Sequence, residues 1–112
     1  MTTTTFSPQH QERLAITFDQ LSEFCQRYAI RELALFGSIL RDDFHAGSDI
    51  DLLVAFQPDA RVSLLDLIGM ENELEDLCHR KVDLTTKKAI ENSLNWIRRE
   101  AILSTAQVIY ES

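Results

Sequence analysis

The spacing of hydrophobic positions predicts short strands that alternate with helices. Apolar runs that stop at Gly37 and Pro58 are typical of buried strands, and spacings of three and four residues are typical of amphipathic helices. The predicted elements are a helix at 8–28, a strand at 32–36, a short helix at 38–43, a loop at 44–48, a strand at 49–56, a helix at 63–78, a strand at 81–85 and helical structure at 87–106 with a break near 92–95. Residues 108–110 either extend the last helix or form an edge strand. This order predicts an α/β or α+β layer structure.

Length and composition fit one folded unit. The chain has 112 residues, of which 45% are hydrophobic, so we expect residues 1–112 to form a single domain, with residues 1–7 as a flexible tail. No apolar run approaches the roughly 20 residues of a membrane span, and the N-terminus lacks the basic start and apolar core of a signal peptide. Cys25 and Cys78 lie on apolar helix faces, which indicates core residues in a reducing cytoplasm.

The charge of the chain limits the classes of partner. The net charge is −7, and such a surface repels the phosphate backbone, so no direct binding of nucleic acid is expected. An acidic protein that handles a nucleotide needs a metal ion to offset the repulsion, and a basic protein partner also fits. We expect the acidic run at 71–76 to be the solvated face of an amphipathic helix.

Two aspartates stand one residue apart at the start of the second predicted strand. Alternation puts Asp49 and Asp51 on one face, about 6–7 Å apart along the backbone, while Ile50 and Leu52 face the core. Like charges this close repel each other, and a divalent cation between them removes the conflict. Carboxylates together with phosphate and water oxygens are ligands that Mg²⁺ prefers. Asp83, a lone charge in the third strand, is the candidate for a third carboxylate that allows two ions.

The residues after the first strand supply a matching site for an anion. Gly37 permits a tight turn, and a helix that begins near Ser38 would direct N–H groups and a hydroxyl at a phosphate, with Arg41 one turn further on. Each feature alone also has a structural explanation, because a Gly-Ser pair can be a turn and Asp83 can pair with a nearby lysine or arginine. Their joint order and spacing favour a nucleotide site.

The order Gly-Ser, ten residues, Asp, one residue, Asp resembles the nucleotidyltransferase superfamily related to DNA polymerase β. The stretch LFGSILRDDFHAGSDIDLLVAF, followed by HRKVDLTT, is similar to the minimal nucleotidyltransferases (MNT), which are the antitoxins of HEPN/MNT toxin–antitoxin pairs. The likeness covers about residues 32–111. It implies a polymerase β-like fold in which a small mixed sheet is flanked by helices.

The resemblance also implies roles for individual residues. Nucleotide binding falls to Gly37 and Ser38, with Arg41 at a basic position of the family. The resemblance assigns Mg²⁺ binding and catalysis to three aspartates, of which the third helps to activate the attacking hydroxyl: Asp49, Asp51 and Asp83. The chain departs from many relatives at Ile39, where they carry Arg, and at Asp42, where they carry Gly.

The activity that the resemblance implies is transfer of AMP from ATP to a tyrosine hydroxyl of a HEPN ribonuclease toxin, with two Mg²⁺ ions, in the cytoplasm and away from any membrane. Two alternatives remain open. One is an antitoxin that neutralises the toxin by binding alone, and the other is a nucleotidyltransferase that acts on a small molecule. An exposed Trp96 would suggest a partner surface in either protein-binding case.

Overall fold

The computed structural model describes residues 5–112, which form a four-stranded sheet with helices on both faces. The elements are α1 (Pro8–Leu14), α2 (Phe18–Arg27), β1 (Ile30–Phe36), a 3₁₀ helix (Gly37–Leu40), β2 (Ile50–Phe56), α3 (Leu64–Cys78), β3 (Val82–Thr86), α4 (Lys87–Glu91), α5 (Trp96–Thr105) and β4 (Gln107–Glu111). Within these residues, no helix is long and apolar enough to cross a membrane. The predicted mixed sheet with flanking helices is confirmed.

The sheet has the strand order β3-β2-β1-β4, in which β2 and β3 are parallel and β1 is antiparallel to both β2 and β4. The last strand settles the open choice at residues 108–110 in favour of an edge strand. A parallel pair needs a crossover connection, and α3 provides it between β2 and β3. The start of β2 therefore lies between the end of β1 and the start of β3.

Each face of the sheet has its own hydrophobic cluster. Leu33, Leu35, Ile50 and Leu52 belong to the larger cluster, which includes residues from α1, α2 and α3. The alternate positions of the strands belong to the smaller cluster, which α4 and α5 complete: Ala34, Phe36, Leu53, Ile90, Ile102 and Val108. Strand alternation thus places Asp51 on the face of Leu53, the face that α5 covers.

Both cysteines are free and buried in the larger cluster, as predicted. Burial raises the pKa of the Cys25 thiol to about 12 and that of the Cys78 thiol to about 11. Both thiols therefore stay protonated at neutral pH and serve as small core residues.

The single helix predicted at 8–28 is wrong, because the chain breaks between α1 and α2. Ala15 takes a left-handed conformation with φ of 59°, and Thr17 begins α2 with a capping box to Gln20. Apolar spacing continues through the break because Ile16 stays buried between the two helices. The hydrophobic pattern therefore conceals a local capping signal.

Part of the predicted flexible tail packs against the fold instead. The Thr5 N–H donates to the Val108 carbonyl at 2.7 Å, the Phe6 ring lies 5.7 Å from the Phe18 ring, and Ser7 caps α1. These contacts hold residues 5–7 beside β4, whereas residues 1–4 of the predicted tail lie outside the described residues.

The short helix predicted at 38–43 is a 3₁₀ helix that begins at Gly37 and ends at Leu40. An arginine from α1 holds the chain where this helix ends. The Arg13 guanidinium donates to the Ile39 carbonyl at 2.6 Å and to the Arg41 carbonyl at 2.8 Å. Helix α1 is therefore bonded directly to the segment that follows the Gly-Ser pair.

A second arginine holds the rest of the loop at 44–48. Arg80 donates to the His45 carbonyl at 2.7 Å, and its guanidinium lies 4.4 Å from the centre of the Phe44 ring. The Arg13 guanidinium lies 5.1 Å from the same ring. Two cations from distant parts of the chain thus fix the loop between the Gly-Ser pair and the aspartates.

We predict that Arg13→Met lowers the free energy of unfolding by about 2 kcal/mol, because it removes two charge-assisted hydrogen bonds and a cation–π contact. Urea unfolding followed by circular dichroism measures the change. Arg31→Met is the matched control, because Arg31 is exposed on β1. Equal stability of the two variants would show that Arg13 does not hold the loop.

Candidate active site

The three aspartates meet at the start of β2 and β3. Asp51 and Asp83 are direct partners in the parallel pairing of these strands, so their side chains leave the sheet on the same face. Asp49 directly precedes β2, two residues before Asp51. The prediction that Asp83 lies beside the pair on a neighbouring strand is confirmed. Asp51 is half-buried, whereas Asp49 and Asp83 are exposed.

Gly37 provides the space that the Asp51 carboxylate occupies. Phe36 pairs with Asp51 across the antiparallel strands, so the turn after β1 begins directly beside this carboxylate. The φ of Gly37 is 76°, and a Cβ atom there would lie 2.5 Å from Asp51 Oδ2. A side chain at this position is excluded by both backbone conformation and contact.

Ser38 joins the Gly-Ser turn to the aspartates. Its hydroxyl donates to the Asp49 carbonyl at 3.3 Å. The predicted helix near Ser38 is present as a short 3₁₀ helix, and its first two residues adjoin Asp51 and Asp49. The turn and the carboxylates therefore form one continuous surface.

The electrostatics of the site centre on Asp51. Burial raises the pKa of its carboxyl group, and the charges of Asp83 and Asp49 raise that pKa further. Arg41 and Arg98 act in the opposite direction and lower the pKa. The fold therefore keeps negative charges close together and balances them only in part, as a site that receives a cation requires.

Two glutamates of α3 fix the strand that carries Asp83. Glu75 Oε2 accepts the Val82 N–H at 2.9 Å, and Glu71 Oε2 accepts the Leu84 N–H at 2.8 Å. These amides belong to an edge strand, and the carboxylates take the place of a further strand. The solvated face predicted for residues 71–76 is therefore wrong for Glu71 and Glu75, whose carboxylates bind the sheet.

The donor atoms of the site suit a hard cation. All three aspartates offer oxygen atoms, which Mg²⁺ prefers over nitrogen or sulfur ligands. Within residues 5–112, no group of three or more His, Cys, Asp or Glu side chains is positioned to hold a metal ion. Mg²⁺ is commonly held by one or two carboxylates together with substrate phosphates and water, so an incomplete set of protein ligands fits this ion.

Arg98 is a site residue that the sequence did not identify. It lies on α5 close enough to Asp51 to lower its pKa, and it shares a helix face with Ala101, Ile102 and Thr105 through spacings of three, four and seven residues. The sequence does show that Arg98 lies four residues before the apolar Ile102, a spacing that puts both on one side of a helix. The sequence does not show that α5 lies over the aspartates.

Arg41 and Trp96, both named from the sequence, and His45 of the loop take clear positions. Arg41 is exposed, and its Nε atom lies 3.3 Å from Asp43 Oδ1 at the rim of the site. His45 is exposed, and its Nδ1 accepts the Gly47 N–H, so it shapes the loop. Trp96, at the start of α5, is 62% exposed. An exposed tryptophan at this position suggests a partner surface.

Comparison with known proteins agrees with the site. The model of a family described as nucleotidyltransferase domain matches residues 19–109. An inferred protein adenylyltransferase of Methanocaldococcus jannaschii is 43% identical over 70 residues, which span 62% of this chain and 69% of that protein. The protein adenylyltransferase MntA of Thermococcus cleftensis is 36% identical over 72 residues, which span 64% of this chain and 71% of that protein.

Solved structures show the same fold. A structure described as an inferred minimal nucleotidyltransferase has a TM-score of 0.64 at 27% identity, and the match covers 91% of this chain and 96% of that chain. A chain of a toxin–antitoxin crystal structure with AMP-PNP has a TM-score of 0.66 at 15% identity, and the match covers 87% of this chain and 75% of that chain. At 15% identity, the second match shows the fold alone.

We predict that Gly37→Ala lowers the free energy of unfolding by about 2 kcal/mol, because alanine is strained at a positive φ and its Cβ collides with Asp51. Gly69→Ala is the control. A Cβ at Gly69, inside α3, meets nothing within 4 Å, so this change should stabilise the fold by about 0.5–1 kcal/mol. Urea unfolding measures both variants, and effects of the same sign would contradict the proposed strain.

We predict that Asp51→Asn raises the free energy of unfolding at pH 7 in the absence of divalent cations. The pKa of Asp51 is raised in the folded state, so its ionised form opposes folding, and stability falls as the pH rises through the folded-state pKa. The gain should therefore disappear below about pH 3.8, the ordinary value of this carboxyl group. Urea unfolding at several pH values measures it.

The control for this prediction is Asp59→Asn, an exposed position in the loop after β2. At both pH 4 and pH 7, the free energy of unfolding of this variant should be close to that of the unchanged chain. A stability of Asp51→Asn at pH 7 equal to or below that of the unchanged chain would show that Asp51 is compensated in the fold.

Proposed function

Because the chain belongs to the nucleotidyltransferase domain family, we propose that it transfers AMP from ATP to a tyrosine hydroxyl of a cognate HEPN ribonuclease and thereby acts as the antitoxin of that enzyme in the cytoplasm. The observation that carries the proposal is the meeting of the Gly37–Ser38 turn with three carboxylates at the start of β2 and β3. The protein adenylyltransferase named MntA and the toxin–antitoxin structure with AMP-PNP support a protein acceptor and an adenine nucleotide.

The Gly-Ser turn binds the triphosphate in this proposal. Gly37 lets the phosphates approach the backbone closely, because no side chain stands between them and the turn. Ser38 has one hydroxyl hydrogen, which turns from the Asp49 carbonyl to a phosphate oxygen when the nucleotide binds. Arg41 and Arg98 supply positive charge close enough to Asp51 to lower its pKa.

The three aspartates would hold two Mg²⁺ ions, with the remaining ligands supplied by substrate and water. The ions, when bound, neutralise the triphosphate and lower the pKa of the attacking hydroxyl. The hydroxyl oxygen of the acceptor forms a bond to the α-phosphorus while the bond from that phosphorus to the leaving pyrophosphate breaks. Asp83 accepts the hydroxyl proton, since it is exposed on the edge strand, where a group from another protein can reach it.

An open apolar surface beside the site suits a protein acceptor. Leu94 is 99% exposed, and Trp96 and Ile97 are more than half exposed, directly before Arg98. Exposed aromatic and aliphatic groups that cluster on a surface are typical of protein interfaces. The net charge of −7 adds attraction for a basic partner.

The alternative of an antitoxin that only binds its toxin gives the carboxylates no role. Asp51 is kept half-buried between two like charges, which disfavours its ionised form. A surface used for binding alone gains nothing from this arrangement, whereas a metal-dependent transferase requires it. The geometry therefore favours the enzyme.

The test is transfer of label from α-³²P-ATP, with Mg²⁺, to a HEPN ribonuclease that this chain neutralises. We predict labelling by the unchanged chain and at least about a hundredfold slower labelling by Asp49→Asn/Asp51→Asn. The matched control is Asp59→Asn/Asp76→Asn, which removes the same charge from exposed positions and should label normally.

A tyrosine-to-phenylalanine change in the acceptor should abolish the label. The proposal fails if the unchanged chain transfers no label while Asp49→Asn/Asp51→Asn still neutralises the ribonuclease, since binding alone would then suffice. Labelling of a small molecule in place of the protein would favour the other alternative.

A further inference from the structure

A groove of about 620 Å³ opens beside the candidate active site. One wall is the segment of the 3₁₀ helix, and the other wall is one face of α5. The wall residues are Gly37, Leu40, Arg41, Ala101, Ile102 and Thr105. Gln107, the first residue of β4, also lines the groove. The volume lies within the range of about 300–1,000 Å³ that is typical of small-molecule sites.

The groove is continuous with the proposed phosphate site. Gly37 lines the groove and also makes the space for the Asp51 carboxylate. Arg41, which directly follows the 3₁₀ helix, lines the same groove. Ile102 belongs to the cluster on the face of the sheet from which Asp51 projects. A molecule bound to the Gly-Ser turn can therefore extend into the groove without crossing another element.

A second large groove does not adjoin the Gly-Ser turn or the aspartates. It measures about 670 Å³ and lies at the opposite ends of β2 and β3, between Phe56 and Lys88. It contains none of the residues that form the turn or the carboxylate cluster. A substrate with phosphates at Gly37 and Ser38 has its remaining part nearest to the groove under α5.

The chemistry of the walls suits a nucleobase. Leu40 and Ile102 offer apolar surface to the faces of a planar ring, while Gln107 offers an amide with both donors and an acceptor. The Thr105 hydroxyl donates to the Ala101 carbonyl at 2.6 Å, so its hydrogen is already engaged. A glutamine amide matches the neighbouring amino group and ring nitrogen of adenine, and guanine presents two acceptors at the same edge.

We propose that this groove binds the nucleoside of the substrate nucleotide, with the base between Leu40 and Ile102 and with the Gln107 amide selecting adenine over guanine. The inference rests on the proposed function for the position of the phosphates. It assigns a binding role to α5 and to the start of β4, which lie outside the Gly-Ser and Asp-x-Asp motifs.

The test compares ATP with inorganic tripolyphosphate, which has the phosphates but no nucleoside. Isothermal titration calorimetry in the presence of Mg²⁺ measures both dissociation constants. Ala101→Trp fills the groove and should weaken ATP binding at least tenfold while leaving tripolyphosphate binding unchanged. Ala89→Trp on α4 is the matched control, since Ala89 is exposed and lies outside the groove, and it should bind both ligands normally.

A second variant tests the base itself. Gln107→Leu keeps the size of the side chain and removes the amide, so it should reduce any preference for ATP over GTP by about tenfold. Its tripolyphosphate binding should not change. Gln107 is exposed, so a circular dichroism spectrum equal to that of the unchanged chain is expected for this variant.

The outcomes separate this inference from the proposed function. If the unchanged chain binds ATP no more tightly than tripolyphosphate, or if folded Ala101→Trp binds ATP normally, the groove does not hold the nucleoside and the phosphate site still stands. If the chain binds neither ligand, both proposals fail. If ATP binds as predicted but no label reaches the acceptor protein, the transfer reaction fails and the nucleoside groove remains.

Discussion

The repulsion between Asp51 and the two aspartates beside it is the constraint on which the rest of the structure depends. A half-buried carboxylate between two like charges disfavours folding, and two arginines offset this only in part. Contacts from the neighbouring elements nevertheless hold these carboxylates in place. Gly37 leaves room for the carboxylate, and Glu71 and Glu75 fix the strand that carries Asp83. In the proposed mechanism, a bound cation would neutralise these charges.

Two arginines hold the loop before Asp49 in place. Arg13 and Arg80 reach this loop from α1 and from the start of β3, and both contact Phe44. A mobile loop would let the Gly-Ser turn and the aspartates drift apart, and alignment of a triphosphate requires a fixed distance between them. Arg13 lies before residues 19–109, the part of the chain that the nucleotidyltransferase family model matches.

Much of the site could be predicted from the sequence because it depends on short-range geometry. Strand alternation places Asp49 and Asp51 on one face, and a lone charge in an apolar strand identifies Asp83. The break between α1 and α2 was missed because Ile16 continues the apolar pattern through it, although Thr17 and Gln20 form a capping box. Hydrophobic spacing reports burial, and burial alone does not distinguish one helix from two.

The parts that could not be predicted depend on how distant elements pack. The role of Glu71 and Glu75 arises only because α3 lies beside an edge strand with free amides. Arg98 and the groove under α5 exist only because this helix covers the face that carries Asp51. No local signal in the sequence gives the position of α5 over the sheet.

In this account, burial and neighbouring negative charges raise the pKa of Asp51, and a bound cation would lower it. The most direct test of both statements is an NMR titration of the Asp51 side-chain carboxyl carbon. Without divalent cations, its pKa should lie above the ordinary value of 3.8. With Mg²⁺ and a non-hydrolysable ATP analogue, its pKa should fall, because the bound cation favours the ionised form. A pKa at or below 3.8 without the cation, or one that Mg²⁺ and the nucleotide leave unchanged, would contradict this picture.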